Sequence, residues 1–219
     1  MKLRIRIWDL PTRLFHWTLV VLVVGLFVTG LRGGAAMDWH FRFGIGVLIL
    51  LVFRVLWGIV GGRWSRFTSF VRGPGAVLAY LRSGGANDHA PGHNPLGALS
   101  VLGMLAILAI QVATGLSSND EISFEGPLAK FLPNARVAQF TAYHKDIGAW
   151  IVLALVVLHI AAIAFYRIKK KTDLIGPMVN GDKMLDTQVE ASRDTAITRL
   201  LALVLLVLAG GLGWWVWKL

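Results

Sequence analysis

Five apolar stretches, roughly residues 13–31, 40–60, 96–116, 147–166 and 200–217, decide what this chain can become. A helix rising about 1.5 Å per residue needs about 20 residues to cross the roughly 30 Å hydrocarbon core of a bilayer. Each stretch has close to that length. With 56% of its 219 residues hydrophobic and a positive mean hydropathy, the chain is too apolar for a soluble domain of this size. The expected fold is therefore all-α: a single transmembrane domain over 1–219, built as a bundle of five membrane-spanning helices. The first stretch follows basic residues, as a signal peptide does. Its apolar part is long, however, and no small-x-small cleavage site closes it, so it is expected to remain in the mature protein.

The formal charge of +10 does not point to nucleic acid, because Lys and Arg sit in short flanks between the spans rather than along one groove-like face. They report orientation instead. With a cytoplasmic N-terminus, the inner segments hold Lys2, Arg4, Arg6 and Arg13, then Arg63, Arg66, Arg72 and Arg82, then Arg167, Lys169, Lys170, Lys171, Lys183, Arg193 and Arg199, fifteen in all. The outer segments hold Arg32, Arg42, Lys130, Arg136, Lys145 and Lys218, six in all, and Arg54 falls inside a span. The positive-inside rule then selects N-in and C-out, with Trp214, Trp215 and Trp217 as an outer aromatic belt. On the inner side, residues 64–72 place Trp64, Phe67 and Val71 on one helical face ahead of the breaker Gly73-Pro74-Gly75, which predicts a short interfacial helix.

Cysteine is absent, which excludes disulfides, iron-sulfur clusters, thiolate catalysis and covalent c-type haem attachment. A metal must be held by His, Met or carboxylate. Six histidines exist, and four belong to or border spans: His16 in the first, His40 opening the second, His144 and His159 on the fourth. In the N-in orientation these four sort into two levels, His16 with His159 inside and His40 with His144 outside. Fifteen residues along the fourth helix amount to roughly 22 Å and about 60° of rotation, so both rings can face one bundle interior. Two imidazoles from different helices are the axial pair of a six-coordinate b-type haem, whose porphyrin supplies the other four nitrogens. The competing reading makes the four histidines helix-end residues that meet water or head groups.

Arg54 lies fourteen residues after His40 and so reaches the inner level, where a haem propionate would pair it; alternatively it snorkels to the head groups. Gly30, fourteen after His16, would let the outer macrocycle approach the first helix. His89 and His93 fall in the loop before the third span, where Asn94-Pro95 reads as a helix start, and are taken as structural or solvated.

The stretches "IWDLPTRLFHWTLV", "GHNPLGALSV", "TGLSSNDEISFEGPLAKFLP" and "LHIAAIAFYRIKKKTDLIGPMVNGDK" resemble bacterial cytochrome b561-type proteins, inner-membrane di-haem cytochromes that include the b subunits of nickel-iron hydrogenase and formate dehydrogenase. The resemblance spans nearly the whole chain. It implies a four-helix haem-binding core plus a C-terminal helix, and two haem b groups ligated by His16, His40, His144 and His159. It also implies electron transfer across the inner membrane between quinone and a periplasmic cytochrome or other redox protein. The family pattern separates the fourth-helix pair by fourteen residues, against fifteen here. The extra residue turns one ring by a further ~100° and leaves His144 expected in a non-helical turn before the span.

Within the family a superoxide oxidase that reduces ubiquinone is the alternative activity. Lys145 beside His144 favours it, while Asp120, Glu121 and Glu125 in the outer loop would repel an anion and suit a basic partner. From another class, a haem-free histidine proton or ion transporter would want Asp or Glu inside the spans. A passive anchor subunit would leave the paired histidines without a role.

Overall fold

The computed structural model describes residues 2–84, 90–121 and 124–219, so His89 lies outside the described residues. Strand β1 (Leu3–Arg6) leads into α1 (Leu10–Arg32), followed by α2 (Met37–Val60), a 3-10 turn (Arg63–Ser65), α3 (Phe67–Phe70), α4 (Pro74–Arg82) and α5 (Pro95–Leu116). After the loop come α6 (Asn134–Ala142), a π-helical turn (Tyr143–Gly148), α7 (Ala149–Ile168), α8 (Ile175–Asn180), β2 (Asp182–Leu185) and α9 (Ala196–Lys218). Among the described residues, five helices are long and apolar enough to cross a membrane: Leu10–Arg32, Gly34–Val60, Pro95–Leu116, Asn134–Ile168 and Ala196–Lys218. The fold is the expected all-α membrane bundle of five spanning helices, with one two-stranded ladder added.

The spans are longer than their apolar cores because polar caps extend them. Asp9 caps α1 by accepting the Thr12 amide at 2.8 Å, a Ser/Asp-type cap that satisfies one of the donors a helix start leaves open. Asn94 does the same for α5, accepting the Gly97 amide at 2.7 Å. The expected interfacial helix over 64–72 is broken in two, because Arg66 takes an extended conformation (φ −73, ψ 137) between the 3-10 turn and α3. Pro74 does not end structure here but opens α4 in its first turn, where its missing N–H costs nothing.

The chain divides into two compact units. The first comprises Met1–Phe15, Arg54–Gly103 and Leu158–Leu205, and the second His16–Phe53, Met104–Val157 and Leu206–Leu219.

In the first unit β1 pairs antiparallel with β2, Arg6 opposite Asp182. Asp182 accepts Arg4 at 2.7 Å and Arg6 at 2.5 Å, and Asp194 accepts Arg6 at 2.7 Å and Arg199 at 2.9 Å. Gly181, in the left-handed region at φ +93, closes α8, and its carbonyl accepts the Ile7 and Trp8 amides. Ile5, Ile7 and Trp8 form a core with Trp64, Met178, Leu185 and Val189 packed on it. Asp9 is fully buried, a costly position for a carboxylate unless every lone pair is used. Besides the Thr12 amide it accepts Trp57 Nε1 at 3.1 Å and Ser65 Oγ at 2.7 Å. The motif residues Trp8 and Asp9 thus serve as core and keystone for the start of α1.

In the second unit Val47, Leu51, Leu108 and Val152 form the main core, and a second cluster joins Ile45, Leu116 and Val216. Helices α1 and α2 interlock by small-against-large contacts. A Cβ at Gly25 would meet the Phe43 ring at 2.7 Å, and one at Gly46 would meet Leu22 at 2.9 Å. Close backbone approach of this kind replaces the hydrophobic drive that lipid does not supply between helices.

Candidate functional site

The second unit brings His40 and His144 together, with ring centroids 6.2 Å apart and planes at 88°. Each ring is docked on a different neighbouring helix in the same manner. Nδ1 of His40 lies 3.0 Å from the Leu26 carbonyl and 3.3 Å from Thr29 Oγ1 on α1. Nδ1 of His144 lies 2.9 Å from the Gln111 carbonyl and 3.5 Å from Thr114 Oγ1 on α5. In both cases the next residue is a glycine facing the ring. A Cβ on Gly30 would stand 3.1 Å from the His40 ring, and one on Gly115 would stand 2.7 Å from the His144 ring. Both threonines turn their hydroxyls onto the preceding helical turn, Thr29 to the Gly25 carbonyl at 2.6 Å and Thr114 to the Ile110 carbonyl at 2.8 Å. The segments "LFVTG" (26–30) and "QVATG" (111–115) are therefore two copies of one histidine cradle.

The chemical consequence is tautomer control. A carbonyl only accepts, so each Nδ1 carries the proton, which leaves the Nε2 lone pair of each ring for a metal. The 6.2 Å span also fits one iron between two rings. Metal–imidazole bonds of about 2.0 Å, with about 1.1 Å from each nitrogen to its ring centre, give roughly 6 Å between centroids. Among the described residues no group of three or more His, Asp or Glu is placed to hold a bare ion. Two imidazoles alone need a metal that brings its own equatorial ligands, as a porphyrin does.

His144 lies in a π-helical turn rather than in a non-helical one, and helix Asn134–Ile168 runs through it without a break. The Ala149 amide bonds the His144 carbonyl in the wide i→i+5 pattern, and Gln111 Nε2 donates to the same carbonyl at 2.9 Å. Gln111 thus holds His144 twice, by its backbone carbonyl at Nδ1 and by its side-chain amide at the backbone. Gly148 leaves the space for that amide, since a Cβ there would sit 1.9 Å from Gln111 Oε1. A π turn takes up one residue more than the α-helix. The fifteen-residue step from His144 to His159 accordingly has the rotation of a fourteen-residue α-helical step.

The other sequence-predicted residues are distributed as follows. His16 belongs to the second unit, with the Trp17 ring edge-on at 5.1 Å, and His159 belongs to the first. Arg54, also in the first unit, is 3% exposed, which removes the snorkelling alternative. Its guanidinium lies 4.9 Å over the Phe67 ring, and Nη1 is buried with no hydrogen-bond partner among the described residues. A buried guanidinium with an open donor is suited to an anionic group from outside the chain. His93 is packed between the Trp8 and Phe70 rings, 4.7 Å from each, in keeping with a structural role. Gly30 faces the His40 ring itself, whereas its sequence position suggested room for a macrocycle.

The model of the prokaryotic cytochrome b561 family matches residues 7–181. Among curated relatives, the "Probable Ni/Fe-hydrogenase 1 B-type cytochrome subunit" of Escherichia coli (strain K12) is 24% identical over 212 residues, covering 80% of this chain and 88% of the relative. The "Probable Ni/Fe-hydrogenase B-type cytochrome subunit" of Azotobacter chroococcum mcd 1 is 28% identical over 210 residues, covering 81% and 88%. No solved structure matches. The matched range takes in the first four spans and all four span histidines, and so this chain, a multi-pass membrane protein, belongs to the prokaryotic cytochrome b561 family.

Proposed function

We propose that this b-type electron-transfer cytochrome carries two haems and moves electrons across the bacterial inner membrane, between the quinone pool and a redox protein on the periplasmic side. The observation that carries the reading is the matched docking of His40 and His144, which readies two Nε2 lone pairs at the span of one iron. His16 and His159 are assigned to the second haem in this reading on their sequence positions and on the family resemblance alone, with the N-terminus cytoplasmic and both at the inner level. Arg54 meets a haem carboxylate there, which answers the open donor at its Nη1. When bound, the haem supplies one-electron exchange at its iron. The chain's own contribution is to fix the imidazole tautomers, keep water from the rings by apolar helix packing, and set the potential through burial and hydrogen bonding. The relatives' names as hydrogenase cytochrome subunits support a redox protein as partner. Asp120, Glu121 and Glu125, which follow α5, give that partner a basic face to match.

The test is haem stoichiometry with redox titration. A pyridine haemochrome assay on folded, purified protein should give two b haems per chain, and titration should resolve two midpoints reducible by a quinol. One haem or none in folded protein would overturn the four-ligand assignment. An absorption spectrum without haem bands would leave the transporter and anchor readings in its place.

A further inference from the structure

Two concave sites abut on the segment after α2, both in the first unit, and the histidine arrangement uses neither. The smaller, about 380 Å³, is lined by Arg63, Trp64, Arg66, Thr68, Ser69 and Arg72. The larger, about 550 Å³, shares Trp64, Ser69 and Arg72 with it and continues past Phe70, Tyr80 and Pro95. One lobe is thus cationic with two hydroxyls, and the adjoining one is largely aromatic and apolar.

Among the described residues, two of the three charges in the cationic lobe lack a carboxylate partner. Arg63 pairs with Glu190 and lies 5.6 Å over the Trp64 ring. Arg66 and Arg72 have no carboxylate at ion-pair distance among the described residues. Arg72 Nη2 donates to the Ser69 carbonyl at 3.3 Å, and Arg66 Nε is buried with no hydrogen-bond partner among the described residues. The backbone presenting these groups is held from below. Ser65 is fully buried against Asp9, Phe70 is 3% exposed, and a Cβ at Gly58 would lie 2.1 Å from the Phe67 ring. A ligand therefore meets a preformed cradle and does not have to order it.

The location narrows the ligand further. Span α2 ends at Val60, so Arg63 to Arg72 lie at head-group depth with an interfacial tryptophan beside them. Arginines in a pocket at this depth match phosphate by planar, two-pronged hydrogen bonding. A free anion would use only the cationic lobe, and an uncharged ring compound would leave the guanidiniums without a counter-charge. We infer that this cleft binds one anionic phospholipid, its phosphate at Arg66 and Arg72 and its glycerol and first acyl carbons in the lobe beside Phe70 and Tyr80.

The full-length protein, purified in neutral detergent and stripped of lipid, would be titrated with phosphatidylglycerol, with phosphatidylcholine of the same chains, and with inorganic phosphate. Retained adducts would be read by native mass spectrometry. Phosphatidylglycerol should bind at least about tenfold more tightly than phosphatidylcholine, and Arg66→Gln with Arg72→Gln should remove that preference. Equal binding of the two lipids, or a preference untouched by the double variant, would overturn the inference. Inorganic phosphate binding as tightly as phosphatidylglycerol would also overturn it, in favour of a soluble anion site. Should the double variant fail to fold, Arg72→Gln alone decides, because Arg72 is exposed and its removal should lower the preference several-fold.

Discussion

Thr29-Gly30 and Thr114-Gly115 are the residues on which the paired histidines depend most closely. A methyl group at Gly115 would come within 2.7 Å of the His144 ring, closer than any real Cβ contact, whereas one at Gly30 would come within 3.1 Å of His40. Gly115→Ala should therefore displace His144 and lower haem content or shift one midpoint markedly. Gly30→Ala should have a smaller effect on the same midpoint, since a displacement of a few tenths of an ångström suffices. Haem content and redox titration of the two variants check this, and a Gly30 effect larger than that of Gly115 would contradict the cradle. As candidates the four histidines were legible in the sequence because imidazoles are conspicuous in apolar spans, and Arg54 for the same reason. The cradles were not, because threonine and glycine are ordinary small residues of membrane helices. Their signal was the repeat of Thr-Gly near the ends of two different spans, at a fixed distance from a carbonyl that neither periodicity nor charge marks out. The spacing of Gly30 from His16 is visible in the sequence, and the His40 ring that faces it is not.

At the scale of elements, the π turn at Tyr143–Gly148 takes up one residue more than a regular α-helix would between His144 and His159. Deleting Asp146, which is exposed within that turn, should let the segment relax to an α-helix and keep the rotation of His159 relative to His144. Deleting Val156 from the regular helix α7 instead rotates everything on one side of it by ~100°. The first variant should keep most of its haem and the second should lose a much larger share. Equal loss in both would show that the turn does not set the register. The five spans were legible by length alone, because an apolar run of about 20 residues has few other uses. The short elements were hidden for physical reasons. The β1–β2 ladder joins Leu3–Arg6 to Asp182–Leu185, four-residue strands too short for a period and too distant for a hairpin signal. Gly73-Pro74-Gly75 reads as a breaker in the sequence, although proline in a first turn is as good a start as a stop.

For the molecule as a whole, acid sensitivity outside the membrane is expected to come in two steps with different owners. Burial holds the His93 imidazole neutral and lowers its pKa to about 3, and the positive charges of Arg54 and Lys183 push it the same way. An unfolded chain would take up that proton near the ordinary histidine value of about 6.5. Between about 6.5 and about 3 the unfolded state thus binds more protons than the folded one. Stability conferred by the neutral ring is complete above that window and is lost as pH falls through it. Asp182 works in the same direction but lower. Hydrogen bonding from Arg6, and then from Arg4, holds its carboxyl below the ordinary value of 3.8, so its contribution persists until pH falls below roughly 4. Thermal melts of the detergent-solubilised protein should therefore decline gently from pH 6.5 to 4.5 and steeply below 4. His93→Phe keeps a ring between Trp8 and Phe70 while removing the titrating group, and it should flatten the upper decline and leave the lower one in place. Asp182→Asn should do the reverse, with lower stability near neutrality because the carboxylate that accepts Arg4 and Arg6 is gone. A His93→Phe curve parallel to the parent's between pH 6.5 and 4.5 would assign that decline to some other group.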